Sequence, residues 1–289
     1  MKIEATPLEL VLSTPFRIAH GTSTTRNNVL VQIEQGVGIA AITPYYPAQV
    51  EDVMAYVARE DVQQALDAPV DHLEDTLANL PDGPTPARAA VDLALHDRWG
   101  QHLGQPLYRL WGLNPQRAPY SCFTLGMAEA DEFRQKVIDV HQYPVLKIKL
   151  GTGSLEQDEA LVRMAREHTE AQICVDANAA WSVPEAAEII PRLAEYDLIF
   201  IEQPLAQHNI DGWHELAKLL PADRPPLIAD ESIHDARDIL PLAGGADGIN
   251  IKLAKSAERR WRRLNGHQQI IPLLEGKKFV NGELQQDAA

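Results

Sequence analysis

The sequence predicts an α/β protein, in which an N-terminal α+β domain precedes an incomplete (β/α) barrel of the TIM type. Three observations carry this reading. From about residue 118, short apolar runs alternate with helical stretches of roughly ten to fifteen residues, the rhythm of repeated βα units and a parallel sheet. Those runs are apolar almost throughout, as strands covered on both faces should be. Before residue 118 that rhythm is absent, and two strand-like segments lead into a long helical region. The 289 residues are 45% hydrophobic and 23% charged, so the chain has apolar surface enough to offset the entropy of ordering. At about 150 residues per domain the length suggests two domains. The composition shifts place them at 1–115 and 116–255, with 256–289 as an atypical tail.

Residues 2–12 and 28–35 partly alternate and read as strands. Residues 48–79 read as helical, with Asp and Glu abundant. The strongest helix is 84–104, with Pro86 in its first turn and Gly104 at its end. Pro106 and the WGLNP turn at 111–115 close the first domain. About six strands follow, at 120–126, 145–150, 172–178, 198–204, 226–232 and 248–253, with helices such as DEFRQKVIDVHQ and SLEQDEALVRMAREH between them.

The net charge of −15 argues against nucleic acid and anionic membranes as partners. No apolar run reaches the roughly 18 residues of a membrane span. Glu4, Pro7, Glu9 and Pro15 break any signal-peptide core, so a cytoplasmic protein is expected. Cys122 and Cys174 lie 52 residues apart with no CxxC, which excludes a disulfide scaffold or a zinc module. Both fall in expected strands and read as buried, reduced thiols. The sequence does not set an oligomeric state, and a homo-oligomer stays open.

The spacing of charged residues carries the functional argument. Lys149 to Asp176 is 27 residues, Asp176 to Glu202 is 26, Glu202 to Asp230 is 28, and Asp230 to Lys252 is 22. One such residue recurs per βα unit, near the C-terminal end of its strand, the rim on which TIM-barrel sites are built. Asp176, Glu202 and Asp230 are hard oxygen donors, suited to Mg²⁺ or Mn²⁺ rather than zinc. Held together they repel, which calls for a cation. Acidic residues are also common turn formers after strands, and that plainer reading stands beside the metal one. Lys147 and Lys149 share one face of their strand. Inside a barrel, burial and mutual repulsion would lower a lysine pKa and make a usable base. A solvated edge strand would also carry two lysines, but the apolar neighbours Val145, Leu146, Ile148 and Leu150 disfavour it. Lys252 comes from a strand well around the rim, so two lysines could act on opposite faces of one substrate.

The motifs KIK, VDAN, IEQP, ADES and INIKL, in this order, resemble the muconate-lactonising branch of the enolase superfamily. FRIAHGT at 16–22 resembles the dipeptide epimerases of that branch, and the resemblance covers residues 1–255. It implies an enolase-type cap domain followed by the barrel. It also implies one Mg²⁺ per site, or Mn²⁺ in its place, on Asp176, Glu202 and Asp230. Lys149 and Lys252 match the acid/base pair on opposite faces, and Lys147 matches a helper facing the developing enolate. Thr124 lies where the family contacts substrate, and the loop of His20, Gly21 and Thr22 matches the one that covers the site. The implied reaction is Mg²⁺-dependent epimerisation of a small-molecule substrate, a dipeptide, by 1,1-proton transfer α to a carboxylate through an enediolate. A cycloisomerase or o-succinylbenzoate synthase of the same branch shares these residues. A Schiff-base aldolase would use a lysine but leaves the carboxylates unexplained.

Two departures from the family pattern stand out. A Gly-Glu-Ala stretch is replaced by GVGIAAITP at 36–44, without the Glu. After residue 255 the family continues with a Gly-Gly segment, two strands and an Asp-x-Asp motif that holds the substrate ammonium in dipeptide epimerases. Here four of the eight residues 256–263 are arginine, and no such motif follows. The expectation is a six-stranded remnant with two unpaired edges. A frameshift or premature stop would account for it, and would make a catalytically dead fragment the competing outcome. Strands supplied by another subunit are the other account.

Overall fold

The computed structural model describes residues 2–18, 21–43, 47–234, 236–249, 279–280 and 283–284. The chain divides into two compact units. One comprises residues 1–8, 27–117 and 257–289; the other comprises 9–26 and 118–256.

In the first unit a sheet runs in the order β1 (Ile3–Ile18), β2 (Gly21–Ile33), β3 (Gly36–Ala40). β2 and β3 are antiparallel, with Ile33 opposite Gly36 and Val29 opposite Ala40. Val29, Val31 and Ile33 are fully buried, the period-two face of a half-covered strand. The tip of the β1–β2 hairpin, residues 9–26, groups with the second unit. Strand β3 falls within GVGIAAITP, a segment not among the strands expected from the sequence. The structure gives its glycines a purpose. A Cβ on Gly38 would stand 2.0 Å from the carbonyl oxygen of Ala90, and one on Gly36 would stand 2.2 Å from that of Ala94. Both carbonyls belong to helix α4 (Thr85–Leu103), so the strand and helix backbones meet directly. Val37 N–H also donates to Asp97 Oδ2 at 2.9 Å.

The expected helical stretch 48–79 is three short helices, α1 (Val50–Val57), α2 (Glu60–Ala65) and α3 (Leu73–Ala78). Pro69, lacking an amide hydrogen, stands in the break before α3. The long helix α4 has Pro86 in its first turn and Gly104 as a left-handed cap at φ 61°, as its punctuation indicated. The short α5 (Leu107–Leu110) follows.

Among its described residues the second unit holds six parallel strands in sequence order: β4 (Cys122–Leu125), β5 (Val145–Lys149), β6 (Gln172–Asp176), β7 (Leu198–Glu202), β8 (Leu227–Ala229) and β9 (Gly248–Ile249). Helices α6 (Ala130–Asp139), α7 (Leu155–His168), α8 (Val183–Leu193), α9 (Ile210–Leu219) and α10 (Ile239–Leu242) separate them. This is a barrel-type sheet built from βα units. Buried Leu146 and Ile148 on β5 join Phe133, Val162, Ile190 and Trp213 from the helices in one core. The alternate residues Val145, Lys147 and Lys149 take the other face of β5. Residues 279–280 and 283–284 form a minimal antiparallel pair, β10 and β11. Lys252 and the remainder of the 256–289 tail lie outside the described residues. Among the described residues no helix is long and apolar enough to cross a membrane.

Candidate active site

The strand registers assemble the site. Lys147 is opposite Thr124 on β4 and Cys174 on β6. Lys149 is opposite Asp176, which is opposite Glu202 on β7. Residues paired across parallel strands share a face, so Thr124, Lys147, Lys149, Asp176 and Glu202 all point to one side of the sheet. Lys149, Asp176 and Glu202 are each the last residue of their strand, and Asp230 immediately follows β8. Asp176 and Glu202 are 1% and 2% exposed.

Lys147 Nζ bridges two carboxylates, 2.8 Å from Asp176 Oδ2 and 2.7 Å from Glu202 Oε1. Lys149 Nζ donates to Asp176 Oδ2 at 2.6 Å. This arrangement corrects one expectation. Burial alone would lower the Lys147 pKa, but the charges of Asp176 and Glu202 outweigh it, and the ammonium stays protonated well above the ordinary lysine range. Its nearest charged neighbours are carboxylates on the next strands, so a lowered value does not follow. For Asp176, burial pushes the pKa up, yet Lys149 and Lys147 together hold it below the usual range. Glu202 goes the other way. Burial raises it, and the nearby charge of Asp176, with that of Asp230, adds to the rise against Lys147.

The donor set fits a divalent cation. It is three hard carboxylates on consecutive strands, close enough for their charges to bear on Glu202, and Asp176 and Glu202 already share one cationic group in Lys147. Among the described residues no three acidic, His or Cys side chains are closed into a ready cage. Instead Lys147 and Lys149 pair with Asp176 and Glu202.

The loops after these strands are tied to one another. Asn178 N–H donates to Asp176 Oδ1 at 2.9 Å, and its Nδ2 donates to Glu231 Oε1 at 3.0 Å. Fully buried Gln203 accepts at Oε1 from the backbone N–H groups of Asp230 (2.8 Å) and Ser232 (3.2 Å). Its Nε2 donates to Leu205 O at 2.7 Å and Ser232 Oγ at 2.8 Å. Buried Asp158 accepts from Gly151 N and Thr152 N, just beyond Lys149, and from Trp181 Nε1 at 3.0 Å. Trp181 N–H in turn donates to Pro204 O. Asn178, Ala179 and Gln203 all have positive φ, at 46°, 63° and 39°, conformations that surrounding bonds must hold. Sequence reasoning quoted VDAN and IEQP for their acids and missed Asn178, Gln203 and Asp158. For Gln203, an amide directly after an apolar strand was the available signal.

Thr124 is half-buried beside Lys147. Thr22 is exposed on β2, and His20 and Lys252 lie outside the described residues. The hairpin that carries Thr22 is anchored at the end of β4, where Met127 N–H donates to Arg17 O at 2.9 Å. Both cysteines are free, but only Cys174 is buried, whereas Cys122 is exposed. The expectation of two buried thiols fails because Cys122 opens β4 at the end away from the carboxylates.

These features define an enolase-type protein, with a cap unit and a barrel-type sheet carrying acids and lysines at its strand ends. Residues 2–112 match the mandelate racemase/muconate lactonizing enzyme N-terminal domain, and residues 129–264 match the enolase C-terminal domain-like family. An L-Ala-D/L-Glu epimerase of Bacteroides thetaiotaomicron is 36% identical over 269 residues, covering 90% of this chain and 68% of that protein. Muconate cycloisomerase 1 of Rhodococcus opacus is 30% identical over 273 residues, covering 88% and 72%. The crystal structure of a dipeptide epimerase from Enterococcus faecalis, complexed with Mg and L-Leu-L-Tyr, superposes with a TM-score of 0.73 at 27% identity, covering 94% of this chain and 79% of that one. The chain belongs to the mandelate racemase/muconate lactonizing enzyme group of the enolase superfamily.

Proposed function

We propose that the protein is an isomerase that epimerises dipeptides by moving the proton α to a carboxylate, with Mg²⁺ as cofactor. The observation that carries this is the row Lys149–Asp176–Glu202 at the strand ends, with Lys147 bridging both carboxylates from the same face of the sheet. Asp176, Glu202 and Asp230 are the residues that would hold the cation, which when bound supplies positive charge to the substrate carboxylate. Lys147 stays protonated, so its role is to donate hydrogen bonds and charge to the developing oxyanion rather than to accept the proton. Lys149 is the amine that takes or returns the α-proton at Nζ, and Lys252 is assigned the opposite face by its INIKL motif. Thr124 is assigned to substrate contact, and His20 and Thr22 to the covering loop, by their first-strand and FRIAHGT positions.

The test is α-proton exchange into D₂O with a dipeptide set that includes L-Ala-L-Glu and L-Leu-L-Tyr. Lys149→Ala and Lys252→Ala should each abolish epimerisation; wild-type turnover in either variant would sink the two-lysine assignment. A cycloisomerase is the second reading, favoured by the 30% identity to a muconate cycloisomerase. Ultraviolet loss of cis,cis-muconate with no exchange in any dipeptide would establish it instead.

A further inference from the structure

The site as proposed makes no use of two thiols that lie one step beneath it. Cys174 is level with Lys147 across the β5–β6 register. Cys122 is opposite Val145, two residues before Lys147 on the same face. Both thiols therefore point to the inner side, and their sulfurs meet 3.9 Å apart across β5. Cys122 is exposed and Cys174 is buried, so the pair is reached through Cys122.

The backbone and the sulfurs make different demands. Two strand spacings alone put the cysteine Cα atoms about 9–10 Å apart in a flat sheet, and the two-residue stagger between them adds to that, beyond the roughly 4.4–6.8 Å that a disulfide spans. Two sulfurs bound to one soft centre need far less. In a tetrahedral zinc thiolate with bonds of about 2.3 Å they stand about 3.8 Å apart. The observed 3.9 Å contact, in which either thiol can donate, is close to that spacing.

We propose that Cys122 and Cys174 form a dithiol site for a trivalent arsenical, which bridges the two sulfurs beneath Lys147. With an organoarsenic oxide, R–As=O, two As–S bonds form and two S–H bonds break. The oxide oxygen leaves with both thiol protons as one water, and neither arsenic nor sulfur changes oxidation state. The adduct sits against the row that holds Lys147, so its formation should also block the neighbouring site.

The probe is phenylarsine oxide on the full chain, read by intact mass spectrometry. One adduct per chain is expected, stable to 2-mercaptoethanol and removed by ethanedithiol. Cys122→Ser, at an exposed position, should lose it, and Cys174→Ala should do the same. The folded chain should bind at least about tenfold tighter than the urea-denatured chain, because the fold replaces a 52-residue flexible loop between the thiols. Hydrogen peroxide should oxidise Cys122 without linking it to Cys174. No adduct on the folded chain, an adduct equally stable in the Cys122→Ser variant, or equal affinity in urea would each overturn the proposal. None of these readouts depends on epimerase activity.

Discussion

Replacing Lys147 by methionine separates its two roles, as counter-ion of the unliganded site and as competitor of a bound cation. Its Nζ lies 2.8 Å from Asp176 and 2.7 Å from Glu202, and those carboxylates are 1% and 2% exposed. Removing one partner of a buried ion pair costs about 3–5 kcal/mol, because the other charge is left uncompensated. Lys149 still grips Asp176 at 2.6 Å, so the lower end applies, about 3 kcal/mol. For a unit of this size that corresponds to a fall in Tm of roughly 6–12 °C. Methionine keeps the length of the side chain, so little of the fall comes from lost volume. A divalent cation should then reverse the loss. In the wild type it must displace an ammonium from both carboxylates, whereas in Lys147→Met it meets them unpaired. At a hundredfold excess over Kd it returns about 2.7 kcal/mol. Calorimetric melts in EDTA and in saturating MgCl₂ measure both effects. The variant should melt well below wild type in EDTA, and Mg²⁺ should raise it by more than it raises wild type. Equal melting in EDTA, or a Mg²⁺ response no larger than that of wild type, would refute the assignment of Lys147 as the counter-ion of a cation site.

Gln203→Met removes the amide that fixes the backbone of Asp230 and Ser232. Loss of such an outer partner should weaken Mg²⁺ binding by about 10–100-fold, read as a shift in the Mg²⁺ dependence of Tm. Gly38→Ala drives a Cβ to within 2.0 Å of the Ala90 carbonyl. No rotamer can relieve a backbone clash, so at least the usual overpacking cost of about 1–3 kcal/mol is expected, as earlier loss of the circular dichroism signal in urea. His96 Nδ1 lies 2.6 Å from Asp92 Oδ1. Burial lowers the His96 pKa, but the hydrogen bond and charge of Asp92 raise it further, and the net direction is up. A folded pKa above the unfolded one stabilises fully below about pH 6.5, and the gain is lost as pH rises through the folded value. Asp92→Asn should therefore cost roughly 0.5–1 kcal/mol at pH 6 and almost nothing at pH 9, measured by urea unfolding at the two pH values.

The periods were legible in the sequence, and the neighbours were not. A strand covered on both faces must be apolar throughout, so LIFIE and QICVD announced themselves. The near-constant interval between Lys149, Asp176, Glu202 and Asp230 marked the strand ends. Intervals along a chain, however, are silent about what stands across the next strand. The KIK pair suggested a lowered lysine pKa because the only neighbour visible to Lys147 along the chain was Lys149. The register sets Lys147 between Asp176 and Glu202 instead, and reverses the sign of its pKa shift. β3 was hidden for a related reason. Gly36 and Gly38 look like a loop until helix α4 is laid against them, and then only a glycine leaves room for the Ala90 and Ala94 carbonyls. Gln203 was printed inside a motif, yet its value lies in four bonds to residues on its own and the following loop. The cysteines carry the point furthest. A separation of 52 residues implies nothing about contact. Two parallel crossovers bring the same inward face around twice, and the sulfurs meet at 3.9 Å. Where the chemistry of a barrel is assembled across strands, periodicity finds the strand ends, and only register says which charges and thiols touch.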